Sequence, residues 1–414
     1  MSIATIESEV RSYCRTWPTT FTYGRGSYLY DESGRPFLDF FMGAGALNYG
    51  HNHPVLKGAL MSYLDSDGVI HSLDMATSAK AEFLREFKRQ VLDPRNLDYK
   101  VQFCGPTGTN SVEAALKLAR KVTGRSGVVA FTGAFHGMSL GSLAVTGNAA
   151  KRAGAGIALD GTYRLPYDGF ADAGIDGISL LDKMLADSSS GIDLPAAVIV
   201  ETVQGEGGIN VAGREWLARL AALCTDREIL LIVDDVQMGC GRTGGFFSFE
   251  DAGITPDIVC LSKSISGFGL PMALAIFRPE LDVWSPGEHN GTFRGHNPAF
   301  VTATAALREF WADGILEKQT AEHAELVRQR LADIAESYRG AGARYRGRGL
   351  VWGLEFKDAD AAARVSAAAF ARGLLVETSG SVDQVVKLLP PLTASPEELA
   401  EGLDILRQAV AAGL

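Results

Sequence analysis

Cysteine is scarce and scattered. Cys14, Cys104, Cys224, Cys240 and Cys260 are odd in number and include no C-x-x-C pair, which argues against a disulfide framework and against a thiolate metal site. Histidine is sparse too, at seven residues, with no pair at ligand spacing on a helix; His51 and His53 flank a turn before Pro54, so no metal is expected. No apolar stretch approaches the roughly 20 residues of a membrane span. The opening MSIATIESEV has no basic segment ahead of an apolar one, so no secretory signal is read there. Positive charge is in deficit: 39 Lys and Arg face 49 Asp and Glu, a net −10 that leaves no footprint for nucleic acid or an anionic membrane. Internal repeats and low-complexity tracts are absent. The expectation is a reduced, cytoplasmic protein whose partners are small molecules.

What is present is a set of three apolar runs that each stop at an ionisable residue. AAVIV ends at Glu201, ILLIV at Asp234 and DIVCLS at Lys263. Each run is short, β-branched and without alternation, the pattern of a strand buried on both faces of a parallel sheet. In open α/β sheets the ligand lies beyond the carboxyl ends of the strands, so Glu201, Asp234 and Lys263 should converge on one crevice. Two acids and a lysine at one sheet edge suit a cationic heteroaromatic cofactor bearing an aldehyde, which points to pyridoxal 5′-phosphate.

Around this centre the chain divides into three stretches. Residues 1–49 read as a short helix and arm followed by a hairpin, two aromatic-rich runs joined at Asp31-Glu32-Ser33-Gly34. From 50 to 298, helical patterns alternate with buried-strand patterns, the mark of an α/β domain with a mostly parallel sheet. Within it, 155–190 is polar and glycine-rich and reads as a surface connection. From 299 to 414 the texture becomes that of a smaller α+β domain. Two long helical patterns break near Gly314, then come GRGLVWGLEF, which reads as one strand, a helix over 359–372 and the run VVKLL.

Lys263 needs a destabilised ammonium to be nucleophilic near neutral pH, and its place at a buried strand end supplies that; alone it reads equally as a solvated lysine. Asp234 is the acid to hold a pyridine nitrogen protonated, or else a cap for the next turn, with Asp235 beside it for a structural part. Gln237 is placed to hydrogen-bond a phenolic oxygen. GPTGTN, ahead of the helical pattern SVEAALKLARKV, reads two ways. It is an anion site at a helix N-terminus, or an ordinary start with Asn110 as cap and Glu113 at the third position. Phe135, next to His136, either stacks on an aromatic ring or packs in the core.

GPTGTNSVEAALKLAR, FHGMSLG, VQGEGG, VDDVQMGCGRTG, LSKSISG and HNGTFRGHNP occur in an order that resembles the class III pyridoxal-phosphate aminotransferases of the ornithine and GABA type. The resemblance covers nearly the whole chain. It implies fold type I of the pyridoxal-phosphate-dependent transferases. It also implies Lys263 as the lysine that carries the cofactor and Asp234 as partner of the pyridine nitrogen. Gln237 falls at the phenolic oxygen, Phe135 and His136 at the ring, and Gly108 and Thr109 at the phosphate. Thr292 matches a threonine that reaches the phosphate of a neighbouring subunit, so a homodimer or higher assembly is implied. Glu206 matches an acid that covers and uncovers a carboxylate-binding cation, and Lys387 stands where ornithine-type relatives have an arginine; with Glu201 these form the implied substrate site. Two further departures are Asp235 in place of the usual glutamate and Met138 in place of an arginine. SLDMATSAKAEFL, PRNLDYKVQF and TGNAAKRAGAG narrow the likeness to enzymes passing an amino group from glutamate to the terminal carbon of a short semialdehyde. Other ω-aminotransferases, an aminomutase and a non-catalytic binder remain alternatives, the last opposed by the joint presence of Lys263 and Asp234.

Overall fold

The computed structural model describes residues 5–170 and 176–414. Its largest sheet has seven strands in the order Lys100–Phe103, Leu274–Phe277, Ile258–Leu261, Leu230–Asp234, Ala197–Val200, Val128–Phe131, Thr162–Leu165. All neighbours pair in parallel except Leu274–Phe277, which runs antiparallel to both of its partners. The fold is thus α/β with a mostly parallel sheet, as the alternating patterns imply. Strands Ala197–Val200, Leu230–Asp234 and Ile258–Leu261 are buried at every position. Their lack of polar alternation follows from helices covering both faces.

Two smaller sheets flank it. Phe21–Arg25, Tyr28–Asp31 and Pro36–Asp39 form an antiparallel meander that the C-terminal strand Leu374–Leu375 extends in parallel. Arg344–Arg348, Val351–Glu355, Val385–Leu388 and Glu377–Ser379 form the other, so GRGLVWGLEF is a hairpin of two strands rather than one. The helical pattern after residue 298 becomes Asn297–Phe310 and Ile315–Ser337, separated at Gly314, whose φ of 71° suits glycine. The first of these packs on Pro54–Asp65 and Ser78–Phe87.

The reading of 155–190 as a surface connection needs correction. Thr162–Leu165 is the edge strand of the main sheet, and Gly177–Ala186 is a helix capped by Asp176. An edge strand half-exposed and only four residues long carries too few apolar positions to stand out. Residues 171–175 of that stretch, and 1–4 of the amino-terminal one, lie outside the described residues.

A buried guanidinium ties the parts together around the site. Arg242 Nη1 donates to Leu350 O at 2.8 Å and to Pro390 O, and Nη2 donates to Asn48 Oδ1 at 2.6 Å. Asn48 N–H in turn donates to Ser264 Oγ at 3.0 Å, next to Lys263.

Candidate active site

Strand register decides which ionisable groups meet. Asp234 is level with Cys260, and Val233 with Val200, so Glu201 and Asp234 leave adjacent strands at nearly one height. Lys263 follows Leu261 on the next strand, with φ of 52°, a left-handed conformation uncommon for a residue with a side chain. Its neighbours hold it there. Ser262 Oγ donates to Met272 O and Ser264 Oγ to Gly45 O, both at 2.8 Å. The three residues that end the apolar runs therefore line one cavity of about 170 Å³. Gly108, Thr109, Phe135, His136, Glu206 and Gln237 complete its wall, together with Gly137, Val236 and Met238.

At its floor, His136 and Asp234 are joined through Nδ1 and Oδ2 at 2.7 Å, and Val236 N–H donates to Asp234 Oδ1 at 3.1 Å. Burial disfavours a charged imidazole, yet Asp234 outweighs it and raises the His136 pKa. Burial lowers the Lys263 pKa against the opposing pull of Glu206. The Lys263 ammonium makes no hydrogen bond or ion pair among the described residues, so its amine faces the cavity uncommitted. Glu201 spends its carboxylate on backbone: Phe135 N–H donates to Oε1 at 2.9 Å and Gly205 N–H to Oε2 at 3.3 Å. Burial pushes its pKa up to about 7. Asp235, likewise buried and raised to about 7, accepts from Ser248 N–H at 3.0 Å.

The helix Gly108–Thr123 points its first turn at the cavity. The capping-box reading is overturned: the N-cap is Thr107 and no side chain caps the helix. The residues suited to the task are engaged elsewhere. Thr107 Oγ1 donates to Asn110 Oδ1 at 2.7 Å, and Glu113 accepts from Ser142 N–H at 3.0 Å and from Ser139. The amides of Gly108 and Thr109 are left with no acceptor among the described residues, the arrangement that favours an anion. Gly108 is required by closeness, since a Cβ there would lie 2.8 Å from Val236 Cγ1.

One cation stands against two acids on the cavity's far side. Lys387, fully buried, places Nζ 2.7 Å from Glu206 Oε1 and 2.9 Å from Glu377 Oε1. The two charges outweigh burial and raise the Lys387 pKa. Burial resists ionisation of Glu206, but Lys387 and then Lys263 draw its pKa down to about 2.

The aminotransferase class-III profile matches residues 12–410, nearly the whole chain. The chain belongs to the class III aminotransferases. The aminotransferase is 64% identical over 407 residues to the diaminobutyrate–2-oxoglutarate transaminase of Streptomyces avermitilis, covering 98% of this chain and 96% of the relative. It is 56% identical to the enzymes of the same name from Halalkalibacterium halodurans, at 98% and 95% coverage, and Vibrio cholerae, at 97% and 97%. Among solved structures it resembles the ornithine aminotransferase of Toxoplasma gondii, with TM-score 0.83 at 24% identity over 99% and 93% of the two chains. A transaminase from the marine bacterium Virgibacillus gives 0.87 at 19% over 99% and 97%, a likeness of fold alone.

Pyridoxal 5′-phosphate is the cofactor of this aminotransferase, and the residues fit it. Among the described residues Gln237 Oε1 and His136 Nε2 are buried without a partner, the Gly108 and Thr109 amides await an anion, and Lys263 offers a free amine. Two residues named from sequence stand off the cavity wall. Thr292 lies on the exposed turn Thr292–Gly295, and Lys387 sits behind Glu206. Met138 is exposed. Sequence reasoning missed Val236, which lies two residues beyond Asp234 and lines the same cavity. It missed Glu377 as well, whose importance appears only when its strand pairs with that of Lys387.

Proposed function

We propose that the aminotransferase moves the amino group of L-glutamate to the terminal carbon of L-aspartate 4-semialdehyde, yielding 2-oxoglutarate and L-2,4-diaminobutyrate by a ping-pong cycle. The observation that carries this reading is identity of 56–64%, over nearly the full length of both chains, with relatives named for that pair of substrates. In this reading the reaction is the first step of ectoine biosynthesis, in the cytoplasm. The five free cysteines and the lack of a membrane-spanning helix among the described residues agree with that compartment. The hairpin over 1–49 and the part over 299–414 make one smaller domain beside the 50–298 domain. The strand Leu374–Leu375 that joins the hairpin sheet supports this division.

Bound in the cavity, the cofactor supplies a carbonyl to accept the amino group and an electron-withdrawing ring to acidify the reacting carbon. The chain does the rest. Asp234, held by His136, would keep positive charge at the pyridine nitrogen, and Phe135 and Val236 would hold the ring. The Gly108 and Thr109 amides would take the phosphate, joined by Thr292 of a second copy, which would make the working unit a homodimer or larger. Lys263 Nζ takes the proton from the α-carbon of glutamate and is suited to it by a lowered pKa. Glu206 covers Lys387 when the short semialdehyde reacts at its far end. It swings away when the α-carboxylate of glutamate has to be paired. Glu201 fixes both Phe135 and the turn that bears Glu206.

The test is product identification with the purified enzyme. Glutamate and aspartate semialdehyde should give 2,4-diaminobutyrate and 2-oxoglutarate in equal amounts, with ornithine and GABA poor amino donors. Faster turnover of either of those donors would overturn the assignment, and conversion of a single substrate with no separate amino donor or acceptor present would point to an aminomutase.

A further inference from the structure

Glu377 has no part in the cycle just described, yet it is the more enclosed of the two acids that face Lys387. It stands directly opposite Lys387 on the antiparallel strands Glu377–Ser379 and Val385–Leu388. Its side chain is 4% exposed, against 24% for Glu206. One oxygen, Oε1, faces Lys387 at 2.9 Å without a well-directed hydrogen bond; the other accepts from Tyr13 O–H at 3.1 Å. Tyr13 comes from the amino-terminal arm and packs against Phe41 and Trp17.

Glu206 is held differently. Its backbone carbonyl accepts from Gly380 N–H at 3.0 Å, which ties its turn to the strand carrying Glu377. Among the described residues its side chain has only Lys387 and a long 3.4 Å contact from Gln237 Nε2. Only rotation of that side chain is needed to uncover Lys387. A buried cation stripped of its sole counter-ion would be strongly disfavoured. With Glu377 in place, Lys387 keeps one anion throughout.

We propose that Glu377 is a positioning residue: it fixes Lys387 and leaves the uncovered site near neutral, so that carboxylate binding stays reversible and the cationic diamine is tolerated. The proposal rests on the functional reading above and extends it to a residue outside the cavity wall. Burial and the nearby Glu206 raise the Glu377 pKa while Lys387 and Lys263 oppose them; when Glu206 swings away one raising charge is removed, which favours the Glu377 anion in the uncovered site. The sign of the effect follows from charge. Removing the anion makes the uncovered site net positive, which draws a dicarboxylate in more firmly, and takes a negative charge from the covered site that meets the diamine, which weakens diamine binding.

The experiment compares the wild-type holoenzyme with Glu377→Gln, Glu377→Asp and Tyr13→Phe. Half-reactions with glutamate and with 2,4-diaminobutyrate are followed by cofactor absorbance, and the affinity for glutarate, an unreactive dicarboxylate, by calorimetry. Glu377→Gln should tighten glutarate about tenfold and lower KM for glutamate, while raising KM for the diamine by about as much. Glu377→Asp should restore the ratio of the two KM values. Tyr13→Phe should shift the ratio the same way by less, and it carries the test should Glu377→Gln fail to fold. Unchanged glutarate binding, or both half-reactions weakened together, overturns the proposal. A wild-type enzyme inert toward both substrates, with glutarate tightened as expected, overturns the substrate assignment alone.

Discussion

At the scale of single residues, the site works by placing titratable groups where burial and neighbours pull them apart. Asp234 has one oxygen on His136 and the other on a backbone amide, so it is held as an acceptor at the cavity floor. Asp234→Asn preserves the shape and removes the charge. The rate of the glutamate half-reaction, read by stopped-flow absorbance, should fall about a hundredfold or more, the scale of a lost electrostatic partner. Glu201 offers a test through stability. Its ordinary pKa is 4.5 and its folded value about 7, so the native protein holds the proton that the unfolded chain has released. Stability therefore falls as pH rises from about 4.5 to 7, by up to ~3 kcal/mol at full extent. Glu201→Gln disturbs one amide contact, which shifts the whole curve, and it should remove that part of the slope. Denaturant melts at a series of pH values read this directly; an unaltered slope means Glu201 is ionised throughout.

Among the elements, the strand ends carried most of what the sequence disclosed. The runs closing at Glu201, Asp234 and Lys263 were legible because strands buried on both faces lose their polar alternation, and the cavity does collect those three residues. The hairpin around Asp31–Gly34 and the break at Gly314 were legible through turn chemistry. Thr162–Leu165 was not, being short and at an edge. Neither was the partnership of Tyr13, Glu377 and Lys387, because Tyr13 lies 364 positions from Glu377 and the Glu377–Lys387 pairing depends on strand register, so no local pattern marks it. The final helix, Pro396–Gly413, was also passed over, though its start is well marked. Ser395 Oγ accepts from Glu398 N–H at 3.2 Å, and Glu398 Oε2 accepts from Ser395 N–H at 2.9 Å and from Ser27 Oγ at 2.8 Å. Ser395→Ala should lower stability by about 1 kcal/mol in denaturant titration with both half-reaction rates intact. Glu398→Ala should lower it further, since it also frees the hairpin sheet.

For the whole molecule, the open question is how many chains make one working site. Thr292 is exposed on its own chain and outside the cavity, on a turn whose Phe293 is 65% exposed. In the proposed reading such a residue would contribute to phosphate binding from a second copy, and mixed subunits test this. Thr292→Asp places a negative charge against the phosphate and should abolish activity; Lys263→Ala removes the reacting amine and should do the same. When the two inactive proteins are unfolded together and reassembled, half of the dimers are mixed. In each mixed dimer one site joins an intact Lys263 with an intact Thr292 from the other chain, and its twin carries both lesions. About a quarter of wild-type activity should return, and the recovered activity should be absent from either variant refolded alone. If Thr292 served its own chain, every site in the mixture would hold one lesion, and no activity would return.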